Sequence, residues 1–132
     1  PEEDRDAACW HQLATIDLNE GSYAQARSHF ARALEMRQAI GDRAGEANTS
    51  HQLGVLAWEA GRPELALPLL ALSVGLLGSI GHANAEQALQ NLLRKCSQQS
   101  LTEEEVKALL EEAATTYARD RGREWLSRLD TI

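Results

Sequence analysis

The 132-residue chain is poor in several things at once. Aromatic residues make up 5% of it, prolines number 3, and runs of β-branched residues are nearly absent, which removes the usual material of a β-sheet. The rest is rich in Ala, Leu, Glu, Gln and Arg, which favour helix, so the chain reads as all-α. Basic side chains are in deficit: 13 Lys and Arg stand against 20 Asp and Glu, for a net charge of −7. Nucleic acid and anionic membrane surfaces need clustered cations, so neither is expected as a partner. The cysteines, Cys9 and Cys96, are far apart and show neither CxxC nor Cys/His spacing. That excludes a disulfide framework and a zinc site, and both are expected as buried free thiols. A basic-then-apolar leader is also missing and the chain opens on Pro1, so it is expected to be a mature chain or a fragment of a longer, cytoplasmic protein.

Enzymatic signatures are missing too. The chain has no Gly-rich phosphate loop, no GxSxG elbow, no HExxH and no carboxylate pair in a cleft-like setting. It is read as a non-enzyme that needs no cofactor and no metal. His29 and His82 lack a histidine three or four residues away and are expected at the surface. The run Glu103-Glu104-Glu105 suits the positive end of a helix, and Glu2, Glu3 and Asp4 a solvated helix start.

What is present is punctuation at even spacing. Turn signals fall at Glu20-Gly21-Ser22, Ile40-Gly41-Asp42, Ala60-Gly61-Arg62-Pro63, Ile80-Gly81-His82 and Ser97-Gln98-Gln99-Ser100. They bound helices at about 4–20, 23–40, 43–60, 63–80, 83–97 and 102–119, with a short one near 122–130. Gly21 and Gly61, Gly41 and Gly81, and Ile40 and Ile80 are each 40 residues apart. At that offset His11-Gln12-Leu13 overlies His51-Gln52-Leu53, Ala26 overlies Ala66, Ala31 overlies Ala71 and Phe30 overlies Leu70, which marks an internal repeat. The overlay continues with Glu46 on Glu86 and Leu53 on Leu93, so 83–97 is expected to open a third, incomplete unit.

Trp10, Leu13, Ala26, Phe30 and Ala33 carry the pattern W-x2-L, A-x3-F and a further Ala, and the first unit thereby resembles the tetratricopeptide repeat. The second unit keeps Leu53-Gly54, Ala66 and Ala71, with Ser50 and Leu70 in the Trp and Phe slots and Asp17 and Ala57 in the family's tyrosine slot. The repeat is longer than the usual ~34 residues, as in relatives that carry a Gly-Asp turn like Gly41-Asp42. Small residues at Ala14 or Gly54 would let each pair of helices cross closely at Ala26 or Ala66, while Leu13 and Phe30 fill gaps. The resemblance implies antiparallel helix-turn-helix units stacked as a short right-handed α-solenoid. Residues 1–97 form about 2.5 units (7–42, 47–82 and a half unit 83–97), and 98–132 form C-terminal capping or docking helices.

The resemblance further implies that the first helices line a concave groove. Its slots fall on Ala8, His11, Thr15, Leu18 and Asn19 with Gln12 beside them, then on Asn48, His51, Val55, Trp58 and Glu59 with Gln52, then on Ala88, Asn91, Lys95 and Gln98. Asn, Gln and His side chains pair with peptide amides, and Trp58 and Leu18 offer apolar contact. Trp58 also suits a core position, and the repeated His-Gln pair also suits descent from a duplication with no function. Relatives that clamp a peptide carboxylate use Lys and Asn where this chain has His11 and Thr15.

The second helix of each unit differs. Gln25, Ser28, His29, Arg32, Glu35, Arg37 and Gln38 are answered 40 residues on by Leu65, Pro68, Leu69, Leu72, Gly75, Leu77 and Gly78, and no charge occurs from Leu65 to Ile80. A helix apolar all round is buried all round. The cover is expected either from the segment after Thr102, whose Thr102–Glu105 capping box precedes a stripe of Val106, Leu109, Leu110, Ala113, Ala114 and Tyr117, or from a second copy of the chain on Leu65, Leu69, Leu72 and Leu76. Pro68 either bends this helix or marks its start. Three functional readings follow: a module binding a peptide or helix of a partner protein in its groove, a homodimerising structural segment, or a ligand- or peptide-sensing domain of a larger bacterial regulatory protein.

Overall fold

The computed structural model describes residues 2–132, the side chain of Glu3 excepted. It contains α1 (Glu2–Asn19), α2 (Tyr23–Ile40), α3 (Arg43–Glu59), α4 (Pro63–Ser79), α5 (Ala85–Gln98), α6 (Glu103–Asp120) and α7 (Arg123–Arg128), closed by a 3-10 turn over Leu129–Thr131. Local chemistry sets these limits. Gly41 ends α2 in the left-handed region at φ 74°, where its N–H reaches back to the carbonyls of Arg37 and Gln38. One residue on, the Asp42 carboxylate accepts from Gly45 N at 2.9 Å and starts α3. Thr102 and Glu105 form the expected reciprocal capping box, at 3.1 and 3.0 Å.

Pro68 neither starts nor breaks α4, which runs from Pro63 through it. The carbonyl deprived of a helical donor is that of Glu64, an exposed residue of the first turn, where the lost bond costs little.

α1 with α2, and α3 with α4, are the closely packed antiparallel pairs. The crossings are made by small residues: Ala14, Ala26 and Ala66 are fully buried, and a Cβ on Gly54 would lie 3.3 Å from the Ala66 carbonyl and 2.7 Å from Leu70 Cδ2. Phe30 and Leu70 fill the space beside them.

Leu13, expected as a gap filler, is instead 42% exposed, whereas its counterpart Leu53 is fully buried. The slot packs on more than its own hairpin. Leu53 and Leu56 sink into the unit before them, in one cluster with Phe30 and Leu34, and no described helix stands in that relation to α1. Leu93, overlaid on Leu53 by sequence, is 38% exposed as well. α5 turns Leu92 and Cys96 inward instead, into a cluster shared with Val106 and Leu109 of α6. The half unit therefore does not repeat α3 residue for residue.

After α5 the chain returns along the outer side of α4. α6 packs on α4 through Ala113, Leu109 and Leu110, and Tyr117 reaches Glu46 at the start of α3. α7 and the 3-10 turn after it then fill the space beside α2 and α4 with Trp125 and Leu129. Polar ties fix its course: Gln38 to the Arg121 carbonyl, Arg62 to Thr131 at 3.1 Å, and Arg27 to Asp130. Leu65, Leu69, Leu72 and Leu76 are thus buried within one chain, and a second copy could reach them only by displacing α6 and α7. Cys96 is buried as expected, but Cys9 is exposed.

Candidate partner-binding groove

The two histidines that sequence treats as equivalent have different surroundings. At the first junction, between α1 and α3, His11 Nδ1 lies 3.2 Å from Thr49 Oγ1, and its ring stands edge-on to Phe30 with centroids 5.2 Å apart. Arg37, from the end of α2, passes over Gly45 and closes the junction. Its guanidinium donates to the Gly45 carbonyl at 3.1 Å and to Thr49 Oγ1 at 2.8 Å, and lies 3.4 Å from His11 Nδ1. Burial, and then the Arg37 charge, push the His11 pKa down to about 4, so the ring is neutral and serves as a packed linker. Thr15 donates to the His11 carbonyl at 2.9 Å, Gln12 is exposed, and Leu18, expected in the groove, lies in the core. Leu18 turns inward because α1 presents Ala14 and Leu18, one turn apart, to Phe30 and Ala26 of α2.

At the second junction, between α3 and α5, the equivalents of Arg37, Gly45 and Thr49 are Leu77, Ala85 and Leu89. No guanidinium crosses here, and a cavity of about 710 Å³ opens. Asn48 and His51 line it from α3, and Asn91 from α5, as the groove slots require. The groove slot Ala88 lines it as well, and Asp42, Ser73, Leu77, His82 and Asn84, also in its walls, are missed because slots counted along first helices omit the turns and the second helix; Gln87 lies on α5 beside a slot. The signal was present in the three changed residues at the 40-residue offset. Asn91 is loosely held, with Gln87 and Arg94 each at 3.4 Å from its Oδ1. His51 is half-buried, and burial foremost, followed by the Lys95 charge, lowers its pKa.

Beyond the cavity Trp58 is half-buried against the core, with Lys95 Nζ 4.4 Å from its ring centroid, which joins the two readings of that residue. Val55 and Gln52 are half-buried beside it. His29, expected at the surface, pairs instead with the buried Asp17 carboxylate at 2.6 Å and stacks near Trp10. That pairing explains an acidic residue in the family's tyrosine slot. Among the described residues no group of three or more His, Cys, Asp or Glu could hold a metal ion, and no described helix is long and apolar enough to cross a membrane.

Antiparallel hairpins, each closed by a small-residue crossing and packed on the next, define an all-α helical-repeat solenoid of the protein-interaction type. The family model described as tetratricopeptide repeat matches residues 6–79, more than half of the chain, which belongs to that family and is a protein-interaction scaffold. No curated protein and no solved structure matches the chain.

Proposed function

We propose that the chain binds an extended peptide or a helical segment of a partner protein in the concave groove, centred on the cavity between α3 and α5. The observation that carries this reading is the cavity itself, which lies where the preceding junction is closed by an arginine and is ringed by Asn48, His51 and Asn91. Carboxamides both donate and accept, so they match a peptide backbone without demanding one sequence. Trp58 and Val55 supply apolar contact along the same helix, and Gln52 a further amide. His11, Gln12 and Thr15 extend the surface over the first unit, with His11 as support for it. The 40-residue period and the Gly41-Asp42 turn support reading the chain as a long-repeat member of its family.

The test is selection of binding peptides from a display library, followed by titration against Asn48→Ala, His51→Ala and Asn91→Ala together. Binding should be lost while the far-ultraviolet circular dichroism is kept. Selected peptides that bind the triple variant as well as the parent would overturn the reading.

A further inference from the structure

The two junctions of this molecule form a lock shown once closed and once open. At the closed one, Arg37 supplies a guanidinium that spends its hydrogen bonds on the Gly45 carbonyl and Thr49, beside His11. Glycine at position 45 makes room for it, since a Cβ there would lie 2.8 Å from Arg37 Cδ. At the open junction all three partners have changed together: Leu77 offers no guanidinium, Ala85 carries the Cβ that Gly45 lacks, and Leu89 has no hydroxyl. His51 alone is retained.

The polar groups around the cavity each offer an acceptor atom. They are the Asp42 carboxylate, the carboxamides of Asn48, Asn84, Gln87 and Asn91, and the His51 ring, and no Lys or Arg is among the lining residues, although Arg94 reaches Asn91 Oδ1 at 3.4 Å. Leu77 gives an apolar wall for an aliphatic stem. We propose that this cavity receives the guanidinium of an arginine on the bound partner, entering from the groove side into the place that Arg37 fills from within at the first junction. The proposal rests on the groove reading above and names its specificity.

Several features agree with a planar cation as the guest. A guanidinium carries five N–H donors in a fixed fork, which several separated acceptors satisfy better than they satisfy an ammonium. The net charge of −7 draws a basic segment toward the chain. Burial, and then Lys95, lower the His51 pKa and so favour the neutral ring, which keeps one nitrogen able to accept. Lys95 itself is engaged over the Trp58 ring. The positive end of α3 is answered by the Asp42 cap, and Glu86 stands in the first turn of α5.

The test uses the whole chain and four blocked pentapeptides, Ala-Ala-X-Ala-Ala with X as arginine, citrulline, lysine or glutamate, followed by the side-chain amide resonances of Asn48 and Asn91. The arginine peptide should shift both, and citrulline and lysine should bind at least about tenfold more weakly, the loss expected when a charge-assisted pair becomes neutral or loses its fork. The double variant Leu77→Arg/Ala85→Gly closes the second junction as the first is closed; it should lose the arginine peptide and melt higher than the parent. Should that variant misfold, the exposed Asn48→Lys, which brings a cation to the same wall, should lose the peptide equally. Equal binding of arginine and citrulline, tighter binding of glutamate, or a folded Asn48→Lys chain that binds as the parent does would overturn the proposal. If library-selected peptides without basic residues depend on Asn48, His51 and Asn91, the groove reading stands and the arginine proposal fails.

Discussion

Replacing Tyr117 by Phe removes one oxygen and tests whether α6 is docked on α4 as described. Glu46 is 3% exposed, and its hydrogen-bond partner is the Tyr117 hydroxyl, 2.7 Å from one carboxylate oxygen and 3.0 Å from the other. Without that hydroxyl a nearly dry carboxylate loses its donor, at a cost of about 1.5–3 kcal/mol. For a chain of this length such a loss lowers Tm by about 5–12 °C. The same contact has a signature in alkali. Burial, and next the bond to Glu46, raise the Tyr117 pKa from 10.0 to about 12. The neutral phenol is thus favoured by the fold, so its stabilisation is complete below pH 10 and drains away between pH 10 and 12. Two units correspond to at most about 2.7 kcal/mol, and partial solvent access reduces this to about 1–2 kcal/mol. Urea unfolding of both proteins followed by circular dichroism at pH 7, 9, 10.5 and 11.5 reads both effects. The variant should be weaker at neutral pH and should close the gap as pH rises through that window. Equal stability at pH 7 to within about 0.5 kcal/mol, or a constant gap up to pH 11.5, refutes the reasoning. Adding Glu46→Met to Tyr117→Phe removes the stranded charge and should restore most of the loss, since deleting both partners costs less than deleting one.

Three further outcomes follow from the packing. His11, with a pKa lowered from 6.5 to about 4, contributes stability above pH 6.5 that is lost as pH falls toward 4; about 1–3 kcal/mol of acid sensitivity should disappear in His11→Gln, read by unfolding at pH 7, 5.5 and 4.5. Gly54→Ala brings a Cβ against Leu70 and the Ala66 carbonyl, and the strain of about 1–3 kcal/mol should exceed the ~1 kcal/mol gain in helix propensity, so a higher Tm would contradict the close crossing. Trp125→Ala empties the site where α7 meets the core and should cost about 3–5 kcal/mol, accompanied by faster amide exchange through α7; unchanged exchange there would show that the helix is not held by its tryptophan.

Much of this architecture is legible in one dimension because its causes are local. Gly21, Gly41, Gly61 and Gly81 all adopt positive φ, and each marks a helix end within a residue or two of where sequence places it. Ala14, Gly54, Ala26 and Ala66 announce the crossings because backbones approach only where side chains are small. The readings that fail are those in which a residue's role is set by a neighbour on another helix. Leu13 and Leu53 are the same residue in the same pattern, and among the described residues only Leu53 has a preceding unit to pack on. Leu93 repeats the letter again, but α6 recruits the other side of α5. His11 and His51 diverge for the most instructive reason: what changes is neither histidine but the residue at the end of the second helix. Arg37, Gly45 and Thr49, scattered along the sequence, meet at one point in space, and their counterparts 40 residues on are Leu77, Ala85 and Leu89, of which Leu77 lines the cavity. Single slots compared down the first helices miss such a change. Differences between repeats that fall together once the hairpin is folded reveal it, because a guanidinium withdrawn from a junction leaves its space and the retained histidine behind.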